Sequence, residues 1–193
     1  MKTMNVSLVG VGGQGILLTS DVLAKTATLA GCDVKKSEIH GMAQRGGSVI
    51  SQVRFGDKVY SPIIADGMSD LLVSFDRLET LRWHHLLSVK GKVLMNALSL
   101  TPITVSSGQQ PDVPDLEGRI REEYPDILEI DAMKIAEEVG NPRTMNMVIA
   151  GALSKLTPFE TSLWEEAMSH RLPEKLLAIN IKAFEMGRSA VSC

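Results

Sequence analysis

Asn5-Val6-Ser7-Leu8-Val9-Gly10-Val11-Gly12-Gly13-Gln14-Gly15 opens the first structural unit of the chain. Residues 5–10 form an apolar run of strand length, and the glycines over 12–15 mark a turn. From Ile16 to Ala30 apolar residues recur at helical spacing, among them Ile16, Val22, Leu23, Ala27 and Ala30. Gly31 is a natural stop, because glycine tolerates the left-handed conformation after a last helical turn. Cys32 to Lys36 reads as a second strand, completing a strand–helix–strand unit.

Outward from this unit, Glu38 to Gly47 (EIHGMAQRGG) has neither strand nor helix period and reads as a loop. Ser48 to Phe55 alternates, with Val49, Ser51, Val53 and Phe55 on one face. Gly56-Asp57 suits a tight hairpin turn, so Lys58 to Ser61 is expected to return antiparallel and make the sheet mixed. Asp70 to Phe75 is another buried strand. Asp76 and Glu79 have capping-box spacing for a helix from about Arg77 to about Ser88, with the neighbours His84 and His85 on it. Gly91 ends that element before a strand at Lys92 to Asn96. Pro102 to Pro114 reads as surface loop, Leu116 to Glu123 as helix, Ile127 to Ile130 as strand, and Asp131 as the cap of a helix through Val139.

The last third is helical. Asn141-Pro142 is a start signal, and Met145 to Leu156 is apolar nearly all round, as a helix buried on more than one side would be. Thr157 to Glu160 reads as a second capping box, followed by a stripe of Leu163, Trp164, Ala167 and Met168. A final helix near Pro173 is expected to pack through Leu176, Leu177, Ile181 and Phe184. The whole predicts one α/β domain over residues 1–193. Its architecture is three-layer α/β/α, with a Rossmann-like mixed sheet and a helical C-terminal segment.

Composition narrows the function. The 193 residues, 44% hydrophobic and 22% charged, suit a single globular core. A formal net charge of -3 with no long Lys/Arg run argues against nucleic acid as partner. The N-terminus lacks the features of a signal peptide, and Met145 to Leu153 is too short to span a bilayer, so a cytoplasmic location is expected. The chain has two cysteines, Cys32 and Cys193, whereas an iron–sulfur cluster usually takes four thiolates. No metal-ligand spacing joins them to the four histidines, so no metal site is expected.

Two stretches could carry chemistry. Gly10, Gly12, Gly13, Gln14 and Gly15 fit G-x-G-x-x-G after a strand and before a helix, a context that presents backbone N–H groups to an anion. Alternatively, the glycines serve only the sharp turn and close packing. An acid for a ribose diol is expected about 20 residues on. That window holds Lys35 and Lys36, which suit phosphate better, so phosphate or pyrophosphate is preferred over plain NAD and NADP stays open. The second stretch holds His40, Gln44, Arg45, Gly46 and Gly47. Arg45 is a forked, permanent cation for phosphate or carboxylate, and His40 can move protons near neutral pH. Otherwise His40 and Gln44 brace the loop and Arg45 pairs with Glu38. No catalytic residue is identified.

GVGGQG, SEIHGMAQRGGSVISQVRFGDKVYSP, DLLVSFDRLETLR, EVGNPRTMNMVIAGALSKL and RLPEKLLAINIKAFEMGR together resemble the gamma-type subunit of the 2-oxoacid:ferredoxin oxidoreductases. The form HGMAQRGGSV is most similar to the indolepyruvate branch. The resemblance implies a larger alpha subunit that carries thiamine diphosphate and iron–sulfur clusters, with ferredoxin as acceptor. It implies no redox cofactor on this chain alone, and a role for both stretches in covering coenzyme A. The pyruvate- and 2-oxoglutarate-type relatives, and a free-standing NADP- or flavin-binding protein, remain alternatives. Exposed partner-binding surface would also allow the isolated chain to form a homodimer.

Overall fold

A computed structural model describes residues 1–40, 47–101, 103–109, 111 and 113–191. Six strands form one sheet: β1 (Met4–Val11), β2 (Asp33–His40), β3 (Ser48–Gly56), β4 (Ser69–Ser74), β5 (Leu87–Asn96) and β6 (Leu128–Ile130), in the order β2-β3-β1-β4-β5-β6. The helices are α1 (Ile16–Leu29), α2 (Arg77–Arg82), α3 (Ile103–Ser106), α4 (Leu116–Glu123), α5 (Ala132–Val139), α6 (Met145–Ser154), α7 (Thr161–Arg171) and α8 (Glu174–Ala190). The sheet is mixed because β3 inserts antiparallel between β2 and β1, while β4, β5 and β6 follow β1 in parallel.

The alternation of each strand builds two separate cores. Val6, Leu8, Val53, Phe55, Leu71, Val73 and Leu94 point to one face, under α1 and α5 to α8. Val9, Ile50, Leu72, Val93 and Met95 point to the other, under α2 and α4. This is the expected three-layer arrangement. All ten residues of α6 are buried, so this helix is central to the helical layer. It crosses α8 at Gly151 and Gly187 with backbone against backbone: an added Cβ would lie 1.9 Å from the Phe184 carbonyl oxygen or 2.0 Å from that of Val148.

Several boundaries differ from expectation. Glu38 to His40 is strand rather than loop, because β2 pairs with β3 along eight residues, from Asp33↔Gly56 to His40↔Val49. Lys58 to Ser61 is not a strand, since β2 and β1 already occupy both edges of β3. Instead this segment crosses a polar part of the sheet and is held there by side chains. Arg54 donates to the carbonyls of Ser61 and Ile63, each at 2.9 Å, and Gln52 bonds both the N–H and the carbonyl of Ile64. Along it Val59 and Ile64 are buried, while Tyr60 and Ile63 are exposed.

The helix after β4 stops at Arg82, six residues before the expected Ser88. Trp83 leaves the helix to bond Ser48 and Glu79, and His84 to Leu86 form a single 3-10 turn. The Thr157–Glu160 capping box does not form: the Thr157 hydroxyl donates back to the Ser154 carbonyl, and Glu160 caps α7 without a side-chain bond. Leu176 is exposed, whereas Leu177, Ile181 and Phe184 pack against the core as expected, with Asn180, Ala183 and Gly187 buried on the same helix.

Candidate functional site

The site lies at the carboxyl ends of the parallel strands. From β1 the chain passes to α1 on one face, and from β4 to α2 on the other, so the β1/β4 border is where the connections diverge. In open α/β sheets ligands favour such a crevice. Here the chain fills it itself. The Val11 N–H donates to Gln14 Oε1 at 2.7 Å, and Gln14 Nε2 donates to the Phe75 carbonyl at 3.3 Å. Asn96 Nδ2 donates to that same carbonyl, and Asn96 Oδ1 accepts the Ala132 N–H. Gly10 has no room for a side chain: a Cβ would fall 2.6 Å from Gln14 Oε1 and 2.8 Å from Phe75 Cβ. Two members of the motif, Gly10 and Gln14, are therefore used in joining β1 to β4.

Gly13 and Gly15 have φ of 102° and 86°, the left-handed region where glycine is favoured. Gly12 donates its N–H to the Gly47 carbonyl at 2.9 Å. This bond brings the end of the second stretch against the glycine loop. His40, at the end of β2, reaches the same edge of the sheet through its partner Val49. Gln44, Arg45 and Gly46 lie outside the described residues, as does any pairing of Arg45.

Lys35 is not brought to this edge. It pairs with Arg54, which pairs with Asn5, six residues before Val11 along β1. At the usual strand rise that is about 20 Å from the loop. Its ammonium lies 2.5 Å from Asp33 Oδ1, a hydrogen bond that leads in holding this carboxyl down at about 2. Spacing along the chain placed Lys35 near the phosphate window, but β2 runs past it to His40.

A buried cluster that the sequence reading took only for a helix cap stands beside the loop. Ser48 pairs with Val11 in the sheet, and its hydroxyl donates to Glu79 Oε2. Arg82 Nη1 meets Glu79 Oε1 at 2.5 Å, and the Trp83 indole N–H reaches both Ser48 and Glu79 at 3.1 Å. Asp76 accepts the N–H groups of Leu78, Glu79 and Leu100. Glu79 therefore does not close a capping box; it fastens the start of β3 to α2. The clue in the sequence was Trp83 four residues after Glu79, which places both on one side of a helix.

Burial pushes the Glu79 carboxyl above its ordinary 4.5 and raises Asp76 as well. A raised acid keeps its proton longer in the folded chain than in the unfolded one. Stability must then fall as pH rises from about 4.5 through the raised value, and level off above it. Glu79→Gln is expected to remove this part of the slope while Asp76 keeps its own. Urea midpoints measured across pH 4 to 8 (roughly the range in which raised carboxyls titrate) should show it. Parallel profiles for both proteins would remove Glu79 as a source of the slope.

A family model described as pyruvate ferredoxin/flavodoxin oxidoreductase matches residues 5–190. The chain belongs to this family. Within it, the chain is 40% identical over 195 aligned positions to the indolepyruvate oxidoreductase subunit IorB of Pyrococcus horikoshii, covering 98% of this chain and 96% of that one. The keto/oxoacid ferredoxin oxidoreductase gamma subunit of Geobacter sulfurreducens has the same fold, with a TM-score of 0.72 at 23% identity and 97% of each chain covered. The 2-oxoglutarate:ferredoxin oxidoreductase of Magnetococcus marinus matches with a TM-score of 0.77 at 22% identity. It covers 98% of this chain but 31% of its own, so there the same fold is one part of a longer polypeptide. Among the described residues no helix is long and apolar enough to cross a membrane.

Proposed function

We propose that this chain is the cluster-free subunit of an indolepyruvate-type 2-oxoacid:ferredoxin oxidoreductase. The observation that carries the reading is the near full-length similarity to an IorB subunit in a chain with two cysteines. Such a chain lacks the thiolates for a cluster and joins electron transfer through a larger subunit bearing thiamine diphosphate and iron–sulfur clusters. In the complete enzyme an aryl pyruvate and coenzyme A give the aryl-acetyl-CoA, carbon dioxide and a proton. The two electrons released pass to ferredoxin. Thiamine diphosphate supplies the carbanion chemistry when bound to the partner.

The work of this chain is positioning. Gly12, Gly13 and Gly15, with His40, Gly47 and the intervening Gln44, Arg45 and Gly46, would form the edge that faces the partner and contacts coenzyme A phosphates. Family membership and the Gly12–Gly47 bond support this edge. The location is taken to be cytoplasmic, where ferredoxin is reduced.

Co-expression with the large subunit and purification through a tag on this chain test the reading. The expected product is a brown complex that reduces ferredoxin with indolepyruvate and coenzyme A, at a rate lost when this chain is omitted. A colourless chain that leaves the large subunit unbound and fully active alone would overturn it.

A further inference from the structure

β3 begins at Ser48, the point where both candidate stretches come together. Ser48 pairs with Val11 of β1, and the next residue, Val49, pairs with His40 of β2. One residue back, Gly47 accepts the Gly12 N–H at 2.9 Å. The last bonds of a ladder open most easily, so backbone pairing alone holds this end weakly.

Side chains from α2 add a second fastening. Glu79 Oε2 accepts the Ser48 hydroxyl, and the Trp83 indole N–H reaches Ser48 Oγ and Glu79 Oε2, each at 3.1 Å. Ser48, Glu79 and Trp83 thus form a closed triangle. Arg82 Nη1 meets the other carboxyl oxygen at 2.5 Å. The Glu79 side chain is 3% exposed and that of Arg82 47%, so the carboxyl is buried while its cation stands half in water. Apolar side chains of similar volume commonly stabilise such a place at least as well as an ion pair. A satisfied polar network supplies rigidity instead. Here that rigidity falls on the residue that follows Gly47.

We propose that Glu79 is a positioning residue: through Ser48 it holds Gly47 on Gly12, and so fixes the edge offered to coenzyme A. The inference rests on the reading of that edge as a coenzyme A contact and adds the residue that sets its shape. Glu79 acts from the α2 face of the sheet, through Ser48, and is not itself a ligand.

Three variants separate position from bulk. Ser48→Ala removes only the hydroxyl. Glu79→Leu keeps a side chain of similar bulk without either acceptor. Glu79→Gln keeps an acceptor for Ser48 and Trp83. In the labelled full chain, amide hydrogen exchange at Gly12 should quicken about tenfold in Ser48→Ala and Glu79→Leu, the scale of one bond to a charged group. It should stay near the parental rate in Glu79→Gln. The amide of Leu23, buried in α1, should keep its parental rate in all three. In the assembled enzyme, Ser48→Ala and Glu79→Leu should raise the KM for coenzyme A roughly fivefold, with kcat at saturating coenzyme A within about twofold, and Glu79→Gln should restore it. A general loss of structure would quicken Leu23 together with Gly12, and that result overturns the proposal. So does a Gly12 amide that is unprotected in the parent, or unchanged in both Ser48→Ala and Glu79→Leu. Faster Gly12 exchange with an unmoved KM overturns the role in binding, and coenzyme A contact at this edge falls with it. The exchange measurement needs no partner, so the fastening is judged separately from the subunit assignment, which co-purification tests.

Discussion

Gly151→Ala is expected to lower stability by about 3 kcal/mol or more, near the upper end for overpacking. In an ordinary helix interior the same change would raise stability by about 1 kcal/mol, because alanine is the better helix former. Here the sign reverses, because the new Cβ would sit 1.9 Å from the Phe184 carbonyl oxygen and 2.8 Å from the Arg188 nitrogen. Backbone cannot swing aside as a side chain can, so α6 and α8 must separate. Separation also pulls Arg188 from the Ser154 hydroxyl, now bonded at 2.7 Å. Gly187→Ala makes the reciprocal clash with Val148 at 2.0 Å. Each single change should force most of the separation, so the double variant should cost less than the sum. Urea unfolding of the full chain measures all three. Gly151→Ala at parental stability would mean that the two helices are not in backbone contact.

Trp164→Ala should cost about 3–5 kcal/mol, the range for removing a large aromatic from a core. Trp164 is fully buried in α7, its ring 5.8 Å from that of Phe184, and α7 packs on α1. The informative comparison is Trp164→Phe. The indole N–H has no partner among the described residues, so phenylalanine forfeits no hydrogen bond and relieves an unsatisfied donor. The expected cost is under about 1.5 kcal/mol, because volume alone is lost. A Trp164→Phe cost close to that of Trp164→Ala in thermal unfolding would point to a bond at the indole nitrogen and contradict this packing.

Strong local signals read well from sequence. The β1–turn–α1 unit, the Asp76 and Asp131 caps, α4 and the buried α6 follow from periodicity and capping chemistry. The order of the strands did not. Ser48 to Phe55 carries a strand pattern whichever strands flank it, and a tight turn at Gly56-Asp57 invited a hairpin partner in Lys58 to Ser61. What excludes that partner is tertiary: β3 slots between β2 and β1, and Arg54 and Gln52 turn toward the next segment as donors.

The site was legible in part for the same reason. Gly12 and Gly47 meet because β3 returns beside β1, which no spacing rule states. Lys35 left the site because β2 continues past it. The role of Glu79 depends on what lies against it, Ser48, and that contact is not encoded within a local window.

The insertion of β3 also bears on the order in which the chain acquires structure during synthesis. β1 emerges first but gains its two neighbours only after residues 48–56 and 69–74 have left the ribosome. Even then α1 covers only part of the face that carries Val6, Leu8, Val53 and Phe55, and residues 145–190 complete the cover when they arrive. A nascent N-terminal half would carry a sticky, half-finished sheet for much of its translation, a natural client for holding chaperones. Polypeptides halted before α6 should therefore go to inclusion bodies rather than accumulate as a smaller folded unit.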